Sequence, residues 1–166
     1  MISIIVAVSE DRGIGNDNKL LWHISEDMKR FKKLTFGNTV IMGKKTWESL
    51  PIRPLPGRKN IVLTDDLQEN IDNSVTAYSI EDALSKCEEG EDIFVIGGGS
   101  VYSQFLPIAD RLYITHVHRT APADVFFPEI DPEIWGVIDK EEFKTREDEG
   151  ISYTYLIYER IIKILR

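Results

Sequence analysis

The feature that most constrains this chain is Ile93-Phe94-Val95-Ile96, which runs straight into Gly97-Gly98-Gly99 and then a helical pattern from Ser100 to Phe105. Four consecutive apolar residues show no alternation. The strand they predict is therefore covered on both faces, as strands of parallel sheets are. A tight turn accounts for one glycine, hardly for three. Three in succession, between a buried strand and a helix, leave backbone N–H groups bare for an anion to approach. The run lacks the third glycine of G-x-G-x-x-G, because Tyr102 stands there.

The same grammar repeats along the chain. Residues 2–8 read as a buried strand, and 10–18 as a polar loop with Gly13 and Gly15. Ser25 is a candidate N-cap for a helix to about Thr35. Thr39-Val40-Ile41-Met42 is a short strand ending at Gly43, followed by a short helix over 44–50 and a loop with Pro51, Pro54 and Pro56. Residues 60–64 and 75–78 are further strands, and a helix through Ala83, Leu84 and Cys87 is closed by Gly90. Strands follow at 111–117, 135–139 and 152–158. Short apolar strands alternating with helices predict one α/β domain with a largely parallel sheet. The last two strands have no helix between them, which predicts an antiparallel edge. Cys87 reads as a core residue.

Charge narrows the function. The net charge of −8 argues against nonspecific nucleic-acid binding. Yet residues 29–59 hold nine cations against one acid, Glu48, leaving 11 cations against 27 acids elsewhere. Such a segment can concentrate small anions. Lys29, Arg30 and Lys33 fit a solvated helix face, whereas Lys44, Lys45 and Arg58 adjoin strand and turn signals. One cysteine excludes an internal disulfide, three histidines lack metal-site spacing, and no apolar run reaches membrane length. The expectation is a cytoplasmic, metal-free, membrane-independent protein.

Asp27 is the carboxylate to explain. It lies four residues before Phe31, on or beside the stripe of Met28, Phe31 and Leu34. A carboxylate there needs a partner or a ligand. Complementing the helix N-terminus is the alternative, and Glu26 can do only that. Gly43-Lys44-Lys45-Thr46 is a second glycine turn at a strand-to-helix junction. It is no Walker loop, because Asn38 stands where glycine is required and Lys45, not Ser or Thr, follows Lys44. Two glycine turns, one with paired lysines, predict one extended ligand with several phosphates. No nucleophile–base pair is evident. One carboxylate beside a phosphate-rich cofactor suits hydride transfer.

Ordered blocks then carry a family resemblance: Ile5-Val6-Ala7, Gly13-Ile14-Gly15, Leu21-Trp22 with Asp27 and Phe31, Val40 to Ser49, Pro54 to Asn60, Ile96 to Tyr102, Leu112 to His116, and Asp124 to Pro128. The chain resembles the bacterial dihydrofolate reductases from Met1 to about Glu159. The resemblance implies an eight-stranded, mostly parallel sheet with an antiparallel C-terminal edge strand and four helices. It implies a domain over 1–160, with 161–166 a tail of no assigned role. It also implies a cis Gly97–Gly98 peptide and a monomer that binds antifolate inhibitors.

By the same resemblance the reaction is reduction of 7,8-dihydrofolate with NADPH, with hydride to C6 and a proton to N5. The pterin would lie among Ile5, Ala7, Met28, Phe31, Leu50 and Ile96, with Lys32, Ser49 and Leu55 along the substrate. Asp27, hydrogen-bonded by Thr115, would accept from pterin N3 and the 2-amino group and act electrostatically while a water delivers the proton. Arg58 would bind the α-carboxylate of the glutamate tail. Trp22, Leu20 and Tyr102 complete the catalytic set, and the 9–23 loop would close through Asn18 and Leu20. Thr46 and Gly97-Gly98-Gly99 would meet the pyrophosphate, and Lys44, Lys45 and Thr64 the 2′-phosphate. Ala7, Ile14, Gly15, Gly43, Leu63, Asp65, Ile96, Ser100, Val101, Tyr102 and Asp124 would complete the cofactor site. Leu21, Ala123, Asp65 and Ser100 depart from common family residues; the last two bear on NADPH selection. A pyrimidine reductase of the riboflavin pathway shares this fold, but Asp27 after Trp22 and Arg58 after Pro56-Gly57 argue for dihydrofolate. Asp27, Trp22 and Thr115 together argue against a non-catalytic nucleotide-binding module.

Overall fold

Apolar runs too short for helices need neighbours on both sides, and the chain supplies them by returning repeatedly through one sheet. A computed structural model describes residues 1–144 and 150–161. The strands are β1 (Ile2–Val8), β2 (Gly13–Asn16), β3 (Lys19–Leu20), β4 (Thr39–Gly43), β5 (Lys59–Leu63), β6 (Val75–Ala77), β7 (Ile93–Gly97), β8 (Arg111–Val117), β9 (Val125–Phe126), β10 (Trp135–Lys144) and β11 (Ser152–Arg160). The helices are α1 (Ser25–Thr35), α2 (Lys44–Ser49), α3 (Ile80–Ser85) and α4 (Gly99–Phe105). Eight strands form one sheet in the order β10-β11-β8-β1-β7-β4-β5-β6. Pairings from β8 through β6 are parallel, and β11 pairs antiparallel with both β8 and β10.

Neighbouring residues on the inner strands enter different cores. Ile4, Ile41, Ile61 and Val95 join one apolar cluster, and Ile5, Val40, Val62 and Phe94 the other. This is the period-two geometry of a strand, expressed with both faces apolar. Val101, Tyr102 and Phe105 of α4 cover the first face, while Phe31 and Leu34 of α1 cover the second.

Four details differ from the sequence reading. The helix α1 begins at Ser25, with Ile24 as N-cap and no side-chain cap. Ile24 is buried with Val117, Ile151, Tyr153 and Tyr155, which fixes the chain one residue before the serine. The sheet-facing stripe runs through Asp27, Phe31 and Leu34, and Met28 is 43% exposed. Gly90 does not close α3. That helix ends at Ser85, its last turn tightening into i−3 bonds from Lys86 and Cys87, and Cys87 is only partly buried. The polar loop contains β2 and β3, which join β9 in a small sheet of order β3-β2-β9. Among the described residues no helix is long and apolar enough to cross a membrane. The expected tail lies outside the described residues except for Ile161, whose N–H donates to Ile134 O at 2.7 Å.

Candidate active site

Asp27 leaves the first turn of α1 towards the sheet, where Thr115 of β8 donates its hydroxyl to Oδ1 at 2.6 Å. Thr115 is buried and stands opposite Ala7 in the β1–β8 register. Burial pushes the Asp27 carboxyl above the ordinary range, while the Thr115 hydroxyl and the Arg30 charge oppose that shift. Complementing the helix N-terminus explains neither the Thr115 bond nor the desolvation. A carboxylate held this way is short of partners, and its second oxygen suits a donor ligand.

Beside it, Ile5, Phe31, Leu50, Leu55 and Ile96 pack in the α1-side cluster. They draw an apolar wall from four separate elements of the chain. Arg58 sits farther along, its Nε donating to Pro56 O at 2.9 Å and its Nη1 to Thr35 Oγ1 at 3.1 Å. Both bonds hold the guanidinium in place against the start of the 56–58 turn and the end of α1. Lys32, Ser49 and Met28 are exposed and not part of this packed wall. Trp22 is half-buried, and its Nε1 has no protein acceptor. A buried indole N–H without a partner costs free energy unless a water or ligand meets it.

The two glycine turns come together at the carboxyl ends of β4 and β7, where Met42 pairs with Gly97. A Cβ on Gly43 would lie 3.9 Å from Gly97 O and 4.0 Å from Gly98 N. A Cβ on Gly97, whose φ is +140°, would lie 3.0 Å from Thr46 Oγ1. The expected cis Gly97–Gly98 peptide is present. These bare backbones form a cradle that side chains would fill, at the sheet end where α/β proteins bind nucleotides. The residues therefore fit a dinucleotide cofactor. Tyr102 lies beneath the turn, fully packed, and donates its hydroxyl to Ile5 O at 2.8 Å. Burial drives its pKa far up, so this phenol stays neutral and positions β1 against α4.

The family model described as dihydrofolate reductase matches residues 1–160. Dihydrofolate reductase of Bacillus subtilis (strain 168) is 42% identical over 160 residues, covering 96% of this chain and 95% of that one. The Neisseria gonorrhoeae enzyme is 42% identical over 157 residues, covering 95% and 96%. The chain belongs to the dihydrofolate reductase family. The solved dihydrofolate reductase from Enterococcus faecalis complexed with NADP(H) and RAB-propyl shares the fold, with a TM-score of 0.88 at 34% identity, over 98% of this chain and 97% of that one. Family membership makes the chain an oxidoreductase.

Within that family frame, the small sheet shows how the 9–23 segment is braced. Asp124 N–H donates to Gly15 O at 3.0 Å, and Asp17 N–H donates to Asp124 Oδ2 at 3.0 Å. The hairpin turns at Asp17 and Asn18, both at positive φ. Leu20 is 73% exposed in this arrangement, while Ile14 is buried. Ala123 fits closely, since a Cβ on Gly13 would come within 2.8 Å of its own Cβ. Val125 packs over Gly99, where a Cβ would lie 2.6 Å from Val125 Cγ1. Val101 is buried, Ser100 is exposed, and Leu63 ends β5 beside Thr64.

The basic corner holds a residue that the sequence reading missed. Lys44 Nζ donates to Glu69 Oε2 at 2.6 Å, and Thr64 Oγ1 donates to Glu69 Oε1 at 2.6 Å. Lys45 and Asp65 lie alongside, exposed. Glu69 follows an unpatterned Asp65-Asp66-Leu67-Gln68 stretch, so no periodicity marks it.

Proposed function

We propose that this chain reduces 7,8-dihydrofolate to 5,6,7,8-tetrahydrofolate with NADPH, as a cytoplasmic monomer acting through one domain over residues 1–160. The observation that carries this reading is Asp27: a desolvated carboxylate, anchored by Thr115 and bordering an apolar wall one strand from a nucleotide cradle.

NADPH, when bound, supplies the hydride for C6. The chain's own residues do the rest. Asp27 accepts from N3 and the 2-amino group of the pterin, fixing the ring's orientation. Its negative charge favours a proton on N5, which a water delivers, so the carboxylate works through space. Ile5, Phe31, Leu50 and Ile96 exclude bulk water from the ring, which strengthens that field. Arg58 binds the α-carboxylate of the glutamate tail with the fork of donors suited to it. Gly43, Thr46 and the 97–99 turn admit the pyrophosphate to backbone distance, and Lys44, Lys45 and Thr64 offer donors to the 2′-phosphate.

The test follows loss of reduced-nicotinamide absorbance with dihydrofolate, with a riboflavin-pathway pyrimidine, and with neither. Consumption only with dihydrofolate supports the reading. Consumption only with the pyrimidine, or binding of NADPH with neither turned over, refutes it. Sedimentation as a dimer would refute the monomer.

A further inference from the structure

Lys44 and Thr64 follow the ends of two adjacent parallel strands, β4 and β5, whose last residues Gly43 and Leu63 are paired. Their side chains converge on a single carboxylate, one on each oxygen of Glu69. An ammonium and a hydroxyl that separately hold the two oxygens of one group form an anion site, and here its occupant belongs to the chain. The Glu69 side chain is 24% exposed and Lys44 46%, so the pair sits at the surface, with Lys44 next in the chain to Gly43, and not in the core. Each partner steadies the charge of the other, the lysine titrating above its ordinary range and the glutamate below. Glu48 is 4.0 Å from the same ammonium but makes no bond to Thr64.

We propose that Glu69 is a specificity-determining residue, an internal carboxylate that fills the Lys44–Thr64 anion site and must yield it to a phosphate on the adenosine ribose. The inference rests on the nucleotide reading above and deepens it. A phosphorylated ribose has to break two charge-assisted hydrogen bonds before making its own. A ribose with free hydroxyls brings no anion to this corner and leaves Glu69 where it is. Glu69 thus opposes the phosphorylated cofactor alone and narrows the discrimination between NADPH and NADH.

The backbone around Glu69 is held independently of its side chain. Its N–H donates to Asp66 O at 3.0 Å, its carbonyl accepts from Tyr78 Oη at 2.9 Å, and Ile71 N–H donates to Thr76 Oγ1 at 2.8 Å. Substitutions at 69 therefore test the carboxylate without unfolding the loop.

The experiment is calorimetric titration of the full chain with NADP+ and NAD+, for wild type, Glu69→Gln, Glu69→Ala and Glu48→Gln. Removing the charge at 69 should tighten NADP+ binding about three- to fivefold, the upper scale of one partly exposed charged contact. NAD+ affinity should stay within about twofold, a margin well below one decade of binding free energy. Glu48→Gln, which relieves the same lysine but leaves the Thr64 bond, should give a clearly smaller gain. Unchanged or weaker NADP+ binding in both Glu69 variants, or equal gains for NAD+, overturns the proposal while leaving the cofactor reading intact. A gain with Glu48→Gln as large as with Glu69→Gln also overturns it, since general charge relief would then suffice. Wild type that binds neither nucleotide overturns the cofactor reading and the proposal together.

Discussion

Replacing Asp27 by asparagine separates charge from shape at the centre of the site. The side chains are nearly isosteric, and an asparagine Oδ1 can still accept from Thr115 across the 2.6 Å contact. What disappears is one negative charge in a partly desolvated position. A positioned proton-transfer group contributes about 10²- to 10⁴-fold, or about 2.7–5.5 kcal/mol of transition-state stabilisation. We expect that loss in the hydride step at neutral pH, measured by single-turnover stopped flow with saturating NADPH. It should shrink as the pH falls, because solvent then protonates N5 without help. The same substitution should act oppositely on stability. Burial raises the folded-state pKa of Asp27 above its ordinary 3.8. Its contribution to stability is therefore full below 3.8 and is lost as pH rises through the folded value. At neutral pH the ionised carboxylate destabilises the unliganded fold, so the Asp27→Asn variant should show a higher urea midpoint with unchanged slope. Near-normal turnover at neutral pH would refute the electrostatic role, and a lower midpoint would refute the desolvation argument.

Arg58→Leu should weaken dihydrofolate binding roughly ten- to a hundredfold, the worth of a charged hydrogen bond, with little effect on the saturated hydride step; a pterin lacking the glutamate tail should bind both proteins alike. Gly43→Ala places a methyl 3.2 Å from Val101 Cγ2 and between the two turns. It should lower NADP+ affinity about tenfold or more, as overpacking of a close-fitted site does, with dihydrofolate affinity unchanged by fluorescence titration. Thr115→Val removes the hydroxyl that holds the Asp27 pKa down. The Asp27 carboxyl resonance should then titrate at higher pH than in wild type, and an unmoved titration would detach Thr115 from the electrostatics.

The strands are readable because a parallel interior writes itself as uninterrupted apolar runs, and β1, β4 and β7 each carry one. Asp27 is readable because a carboxylate on a core-facing stripe conflicts with its surroundings. The 13–20 hairpin is not, since β2 and β3 are glycine-rich or exposed and lean on the turn at Asp17-Asn18 and on β9, more than a hundred residues away. Glu69 is hidden for a related reason. Its partners Lys44 and Thr64 are neighbours only after β4 and β5 pair, and such adjacency has no local signature. Ser25 has the chemistry of a cap but does not serve as one, because tertiary burial of Ile24 outweighs the serine's local preference.

Ile96 and Gly97 are successive residues of β7, the first packed in the apolar wall and the second opening the glycine cradle. One strand step of about 3.3 Å thus separates the residue that would line the substrate side from the one that would admit the cofactor. Being flanked by β1 and β4, β7 cannot slide without exchanging the two faces of its whole length. In the proposed function helix α1 is under no such double duty, since its Asp27 and Phe31 lie on the wall assigned to the pterin and not in the glycine cradle. Affinity for the folate side can therefore drift through α1 with little effect on the other reactant, while any change carried by β7 is felt by both.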